Sequence, residues 1–464
     1  MLYYTSQSES ARAGDASEEE ASQPTPLVAN IPEGANSDSR TLYAFILGRV
    51  YTLSLAEVIQ VLGTLAVDFR VKTVAPEIAL IETTEKLKIG ALQDRLGGTI
   101  KIVEIIDTLN RRQKDWPSDL LKDYLDFNIL RDKYLAQGST GKTQIGVSIY
   151  IMDPEIRIPF SEPKRVATLL KKYLQSHEIS VRFVMPEPPS TNLPSVVVTN
   201  NNLLEKGAEF VILLGKQNLS IGKTLSVQDF EDYGRRDYQR PFRDLKMGML
   251  PPKVAQIMIN MANLKKGEHM LDPFCGGGTI LQEALLMDIN AVGSDIDVNA
   301  IRGAESNLAW FRNRYNIPFG RYQILKLDAA SELTREFKPD NFDAIVTEGW
   351  LGPLYGSFPK ESEIKKNFKD ILEVYLKAFG QFSQVLKKNG TVVISLPAYR
   401  QEKDRYVFMP TLDFIEKLGY IRQDPIPLET LEKYKFLKVT DRKTIIYDRK
   451  DQVVAREIVI IKLQ

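Results

Sequence analysis

At 464 residues the chain is longer than one typical core accommodates and implies two to four domains, while 43% hydrophobic and 26% charged residues are ordinary for a soluble globular protein. No apolar run approaches a membrane span, residues 1–40 lack the basic start and apolar core of a secretory leader, and a single cysteine, Cys275, excludes internal disulfides and cysteine-cluster zinc sites. The expectation is a cytoplasmic protein with no membrane partner and no bound metal.

Residues 1–40 are rich in Ser, Glu, Ala and Pro and carry seven acids against Arg12 and Arg40, a net −5 in a chain whose total is +1. Such a segment is expected to lack fixed structure, and the rest of the chain then carries +6. From Thr41 the pattern changes. Tyr43–Arg49 alternates as a strand, Ser54–Ala66 has helical period behind a serine cap, and Val71–Glu82 gives two extended runs around Pro76. A helix at Lys88–Leu96 and a strand at Ile100–Ile106 complete a βαββαβ order, the ferredoxin-like arrangement, assigned to residues 41–115. A second α+β unit is read over 116–230. It has a connector that is helical at Ser118–Leu125, a strand at Thr143–Met152, a helix at Lys164–His177, and strands at Val181–Met185, Ser195–Thr199 and Phe210–Leu214.

Residues 231–250 read as a basic linker. Arg235, Arg236, Arg240, Arg243 and Lys246 are interleaved with Tyr233, Tyr238 and Phe242, a stripe suited to phosphates and unstacked bases. Asp229, Glu231, Asp232, Asp237 and Asp244 are mixed in, so a solvated linker with internal ion pairs explains it as well. Over 251–464, Pro251-Pro252 opens a helix, and strands and helices then alternate strictly: strands at Met270–Phe274, Ala291–Asp295, Tyr322–Asp328, Ala344–Thr347 and Thr391–Leu396, with long helices at Val298–Arg314 and Ile364–Leu386. Alternation of this kind argues for a parallel sheet with helices on both faces. Thr444–Arg449 and Gln452–Lys462 close the chain as an antiparallel hairpin at the sheet edge.

The most informative stretch is His-Met-Leu-Asp-Pro-Phe-Cys-Gly-Gly-Gly-Thr at 269–279, an apolar strand running through an acid into a glycine turn and a helix. Gly276 and Gly278 allow close backbone approach to a ligand, and the helix beginning near Thr279 presents free N–H groups. A second acid, Asp295, ends the next strand 17 residues after Gly278, where a doubly wound sheet sets a carboxylate against a ribose hydroxyl. The dinucleotide fingerprint fails because Leu281 stands where its third glycine belongs, and Asp272 would repel a pyrophosphate while suiting a cationic amino acid. Gly138-Ser-Thr-Gly-Lys-Thr143 imitates a P-loop, but Ala136 replaces the leading glycine and a strand follows instead of a helix. Nucleotide hydrolysis is therefore rejected.

Asp-Pro-Phe-Cys-Gly-Gly-Gly-Thr closely resembles motif I of class I S-adenosylmethionine-dependent methyltransferases that modify exocyclic amines of nucleic acids. Together with Gly-Ser-Asp-Ile-Asp at 293–297, the linker and the tail Asp451-Gln452 through Arg456-Glu457-Ile458, the chain over 41–464 resembles the THUMP-domain tRNA guanosine-10 N2-methyltransferase family. That resemblance implies a Rossmann-like class I methyltransferase sheet with an antiparallel edge strand, preceded by ferredoxin-like and THUMP domains, the latter over 116–230. It further implies S-adenosylmethionine as cofactor, tRNA as partner, and in some relatives a small activating subunit. Cofactor-binding roles fall on Asp272, Phe274, Gly276, Gly278, Thr279, Asp295, Ile296 and Asp328, the last in the slot that contacts the adenine amine in related enzymes.

One departure stands out. Amino-methyltransferases end strand four in Asp/Asn-Pro-Pro-Tyr, where acid and backbone carbonyl accept hydrogen bonds from the target amine and the ring stacks on the flipped base. Here the strand runs into Thr347-Glu348-Gly349-Trp350-Leu351-Gly352-Pro353. Glu348 occupies the acid's place and Trp350 is the candidate stacking platform, with Gly349 supplying the backbone adjustment that the longer acid requires. Retained N2-methylation is the reading. An RNA-binding protein that keeps the fold without turnover, and transfer to an amine of rRNA or DNA, are the alternatives.

Overall fold

The computed structural model of the protein describes residues 40–112, 114–135, 143–243, 249–353, 355–402, 405–449 and 452–464. The acidic stretch 1–39, the P-loop-like Gly138–Lys142, Lys246 and Asp451 lie outside the described residues.

The first half begins with β1 (Thr41–Leu47), α1 (Tyr51–Thr64), β2 (Phe69–Ala75), β3 (Ile78–Thr83), α2 (Ile89–Arg95) and β4 (Thr99–Asn110). Then come α3 (Pro117–Tyr124), α4 (Phe127–Tyr134), β5 (Thr143–Ile151), α5 (Glu162–Ser176), β6 (Val181–Val184), α6 (Ser195–Asn200), β7 (Gly207–Leu214), β8 (Asn218–Val227) and α7 (Phe230–Tyr238). The strands form one eight-stranded sheet in the order β2-β3-β1-β4-β8-β7-β5-β6. The segments read as two units are thus continuous, because β8, a strand not anticipated, pairs antiparallel with both β4 and β7. α5 shows how pattern becomes packing: Val166, Ala167, Leu170 and Leu174 recur at helical spacing and are buried, and Pro163 sits in the first turn where no N–H is needed. Ser195–Thr199, expected as a strand from its three valines, is instead the helix α6. Only Val198 of that run is fully buried, in a small cluster with Leu193 and Leu203, and a helix buries one residue where a strand would need a paired ladder.

The second half comprises α8 (Pro252–Met261), β9 (His269–Asp272), α9 (Thr279–Leu286), β10 (Asn290–Asp295), α10 (Val298–Tyr315), β11 (Tyr322–Lys326), α11 (Leu333–Glu336), β12 (Phe342–Glu348), α12 (Glu361–Val385) and β13 (Leu386–Glu402). It ends with β14 (Arg405–Phe408), α13 (Leu412–Ile415), β15 (Tyr420–Arg422), α14 (Leu428–Lys433), β16 (Ile445–Tyr447) and β17 (Val454–Leu463). The sheet order is β11-β10-β9-β12-β13-β17-β15, with β14 on β13 and β16 on β17. β9 through β13 are mutually parallel where they pair, and β17 runs antiparallel to β13, with β15 outside it. The chain leaves β9 toward β10 and β11, then returns to β12 on the other side. The crevice beyond the carboxyl ends of β9 and β12 is therefore the topological switch point, where such sheets bind ligands.

The two halves share a core. Leu53, Val58 and Val61 of α1 belong to the same apolar cluster as Val254, Met258 and Ile259 of α8 and Leu281 of α9. A buried polar network is set into this contact. Glu57 Oε1 accepts from the Gly97 N–H at 2.9 Å and from Asn260 Nδ2 at 2.7 Å, and Oε2 accepts from the Gly98 N–H at 2.8 Å. Arg95 in turn donates to Asn260 Oδ1 at 3.1 Å and to the Leu264 carbonyl at 2.9 Å. Burial pushes the Glu57 carboxyl up to about 7 despite these three donors. Gly97 is required here, since a Cβ would stand 2.5 Å from the Lys253 carbonyl oxygen. Removing the acid strands two backbone N–H groups and an amide in a dry interface. Glu57→Ala should therefore lower unfolding stability by at least about 2 kcal/mol in urea titrations; an unchanged midpoint would show that the network is dispensable.

Candidate active site

β9 delivers Asp272 to the switch point, where it is 1% exposed, and the chain turns through Pro273, Phe274 and Cys275. Gly276 and Gly278 adopt φ of 49° and 80°, and Gly278 is the cap of α9, whose first-turn N–H groups face the turn. A Cβ on Gly278 would be strained by that φ and would press on Ala304 of α10. β10 brings Asp295 alongside: its Oδ2 accepts the Gly276 N–H at 3.0 Å and its Oδ1 the Asp297 N–H at 2.9 Å. Asp272 is fixed from β12 by the Thr347 hydroxyl, which donates to its Oδ1 at 2.6 Å.

Burial dominates the electrostatics. It pushes the Asp272 carboxyl up to about 7, against the hydrogen bonds from Thr347 and the Phe274 N–H, and Asp295 and Glu348 push in the same direction. Burial also raises Asp295. The Cys275 thiol is driven well above its ordinary value by burial and these acids, so it is an inert packing group.

Beside the turn, a cavity of about 540 Å³ runs from Phe274 and Ile296 past Leu327 and Asp328 to α12. Ile296 is 65% exposed, an apolar side chain standing free on one wall. Asp328 caps the turn after β11, accepting from the Ala330 N–H at 2.9 Å and the Ser331 hydroxyl at 2.8 Å. The cavity is lined by Pro273, Phe274, Ile296 and Leu327 together with the acids Asp328, Asp370 and Glu373, and it adjoins the turn that follows Asp272. An apolar wall with acids beside it suits a nucleoside that carries positive charge, and the cavity lies within the size range of small-molecule sites. The residues present therefore fit S-adenosylmethionine. Ribose, adenine and amino-acid contacts would fall to Asp295, to Phe274, Ile296 and Asp328, and to Asp272 with the Gly276–Thr279 turn.

Glu348 is the last residue of β12, and its charge bears on Asp272. Both its oxygens are taken by one guanidinium: Arg456 Nε donates to Oε2 at 2.5 Å and Nη2 to Oε1 at 2.9 Å. The pair is nearly dry, with side-chain exposures of 4% for Arg456 and 11% for Glu348. Burial alone would depress the Arg456 guanidinium, but the charge and hydrogen bonds of Glu348 outweigh it and hold it above its usual value. Gly349 matters here for closeness more than for dihedral freedom, because a Cβ would overlap the Tyr375 hydroxyl. That hydroxyl donates to the Trp350 carbonyl at 3.1 Å. The positive φ in this loop lies instead at Gly352, at 95°. Trp350 itself is 55% exposed, an unusual position for an indole unless it meets a partner. Arg456, Thr347 and Tyr375 had no assigned role in the sequence reading. The available signal was an Arg-Glu pair inside the apolar run Val454–Ile461.

The linker requires correction. Arg236 and Arg240, expected on an RNA-facing stripe, are 5% and 4% exposed. Arg236 pairs with Glu283 of α9 at 2.8 Å and with Asp232. Arg240 donates to the Thr279 hydroxyl at 2.5 Å and lies 3.6 Å from Asp237. Arg235 is half-buried among Asp229, Glu231 and Asp232, leaving Arg243, stacked over Tyr238, as the exposed arginine of the set. The physical reason is that α7 turns one charged face onto α9, and chain charge then neutralises chain charge. The linker also straps the cofactor turn. Asn307 of α10 accepts from the Phe242 N–H at 2.8 Å and donates to the Gly277 carbonyl at 2.9 Å, while the Phe242 ring occupies the space a side chain on Gly303 would need.

Residues 239–407 match the family model described as RMKL-like, methyltransferase domain. The tRNA (guanine(10)-N2)-dimethyltransferase of Methanocaldococcus jannaschii is 33% identical over 190 residues, 40% of this chain and 48% of that protein, so the match spans about half that relative's length. The probable tRNA (guanine(10)-N2)-dimethyltransferase of Methanothermococcus thermolithotrophicus is 32% identical over 145 residues, 31% of this chain and 78% of that sequence. In fold, the chain is similar to TrmN from Thermus thermophilus, with a TM-score of 0.51 at 15% identity, covering 92% of this chain and 100% of that one. No helix among the described residues is long and apolar enough to cross a membrane. On the switch-point site and these matches together, the chain belongs to the THUMP-domain tRNA guanosine-10 N2-methyltransferase family.

Proposed function

We propose that this chain is an S-adenosylmethionine-dependent methyltransferase acting on the exocyclic N2 of a guanosine in tRNA, at position ten as the names of its relatives indicate. The observation that carries the reading is the placement of Glu348 and the exposed Trp350 at the end of β12, in the crevice that holds Asp272 and Asp295. An inactive RNA-binding descendant would have no reason to keep a clamped acid and a bare indole beside an intact cofactor turn. The first sheet and its helices are the part that would hold the tRNA away from its target base.

The chemistry asks little of the protein. When bound, S-adenosylmethionine supplies a methyl group made electrophilic by its sulfonium. The exocyclic amine is a poor nucleophile because its lone pair is delocalised into the ring. Glu348 keeps lone pairs outside its contact with Arg456, and by accepting from the amine it would localise that pair. Trp350 would hold the flipped base by stacking, and Asp272 and Asp295 would orient the cofactor so that little entropy remains to be lost.

Four outcomes test the reading. Asp295→Ala should weaken cofactor binding by about 1–3 kcal/mol, the cost of ribose hydroxyls left without an acceptor, as read by calorimetry; an unchanged affinity in a folded variant removes Asp295 from the site. Asp272 must be ionised to attract an ammonium, and its carboxyl is held up to about 7. Cofactor affinity should therefore rise with pH through that value and level off above it. A pH-independent affinity from mildly acidic to mildly basic buffer would contradict that role. Glu348→Ala should lower methyl transfer to bulk tRNA, followed by nucleoside mass spectrometry, by roughly a hundredfold with cofactor affinity unchanged. Full activity would sink the assignment of this loop as catalytic. Trp350→Ala should lower methylation through lost base stacking worth about 1–3 kcal/mol; undiminished transfer at sub-saturating tRNA would exclude it as the platform.

A further inference from the structure

The loop after β12 differs from the usual amino-methyltransferase pattern in two ways at once: the acid is a glutamate, and both prolines are missing. Prolines stiffen such a loop by fixing φ, and their loss leaves a glutamate with three rotatable bonds at a place where a catalytic acceptor needs one orientation. The structure supplies stiffness from elsewhere. Glu348 lies on β12 opposite Ser395 of β13, and Arg456 lies on β17 opposite Pro397 of β13. The two side chains therefore meet across an intervening strand, a span of roughly 9–10 Å between backbones at normal strand spacing. An aspartate would fall a methylene short. The long arginine and the long acid are a matched pair across that strand.

We propose that Arg456 is a positioning residue for the methyl-transfer site: its two-point contact across β13 holds the Glu348 carboxylate in a single orientation and does the work that the missing prolines would otherwise do. The inference rests on the catalytic reading of Glu348 given above. The planar guanidinium matches both carboxylate oxygens at once, which a lysine cannot do. Its grip is itself secured, because Arg456 is 4% exposed and Nη1 reaches Gln452 Oε1 at 3.5 Å. Among the described residues, the other charged or titratable groups facing the pair are Asp272 from β9, Tyr375 from α12 and Tyr447 from β16. None of these is a basic side chain, so among the described residues Arg456 is the cation that holds Glu348. Tyr375 completes the frame by fixing the Trp350 carbonyl.

The test is a double-mutant cycle on the full chain. If Arg456 acts through Glu348, Arg456→Gln should lower kcat for tRNA methylation about tenfold or more with KM for tRNA and cofactor affinity little changed, and it should have almost no further effect in a Glu348→Gln background. Additive losses in the two backgrounds would overturn the proposal. Should Arg456→Gln not fold, Arg456→Lys keeps the charge without the fork and should still lose about tenfold in kcat; wild-type kcat in that variant would also overturn it. A wild-type protein that methylates no RNA at all would defeat the functional reading instead. Crystal structures of the wild type and of a folding Arg456 variant then decide the positioning claim: a displaced or spread Glu348 carboxylate supports it, and an unmoved one overturns it.

Discussion

Everything in the catalytic half depends on a problem of like charge. Parallel strands bring Asp272 and Asp295 to one sheet edge with Glu348 beside them, and burial pushes the carboxyls of Asp272 and Asp295 up. The fold answers with fixed donors: the Gly276 and Asp297 N–H groups on Asp295, the Thr347 hydroxyl on Asp272, and the Arg456 fork on Glu348. What the donors leave over is a crevice lined by apolar side chains and acids. On the proposed reading, such a crevice would disfavour phosphates and favour a sulfonium-bearing nucleoside. Gly276, which lets the backbone turn tightly, also joins Asp295 to the turn through its N–H.

The halves of the molecule are less separable than a string of domains suggests. α1 and α8 share an apolar core, Glu57 bridges them with three donors, and the linker residues Arg240 and Phe242 bind Thr279 and the groove over Gly303. A cut near residue 249 would expose the apolar face of α8 and release the strap on the cofactor turn. The continuous strand order from β2 to β6 likewise makes the first half one sheet.

Much of this was legible because it is local. The motif 269–279 combined an apolar strand, an acid and two glycines at fixed offsets, and strict alternation of strands and helices specified the parallel sheet together with the β16–β17 hairpin. What was not legible depends on contacts distant in sequence. β8 is a modest alternating run whose identity as a strand comes from having β4 on one side and β7 on the other. α6 carries three valines yet is helical because its surroundings bury only Val198 among them. The linker arginines looked like an RNA stripe because a sequence lists charges without showing which way a helix turns, and Glu283, partner of Arg236, is 47 residues away. Arg456 was visible as a charged residue in an apolar strand, but its partner lies 108 residues earlier and two strands across.

The account stands most directly on what occupies the crevice at the ends of β9, β10 and β12. The decisive measurement is a crystal structure of the full chain with S-adenosylhomocysteine and a guanosine nucleotide. The expected result is ribose hydroxyls on Asp295, the adenine between Ile296 and Leu327 with its amine toward Asp328, and the guanine amine within hydrogen-bond reach of Glu348 over Trp350. A nucleoside bound elsewhere, or none at saturating concentration, would contradict it.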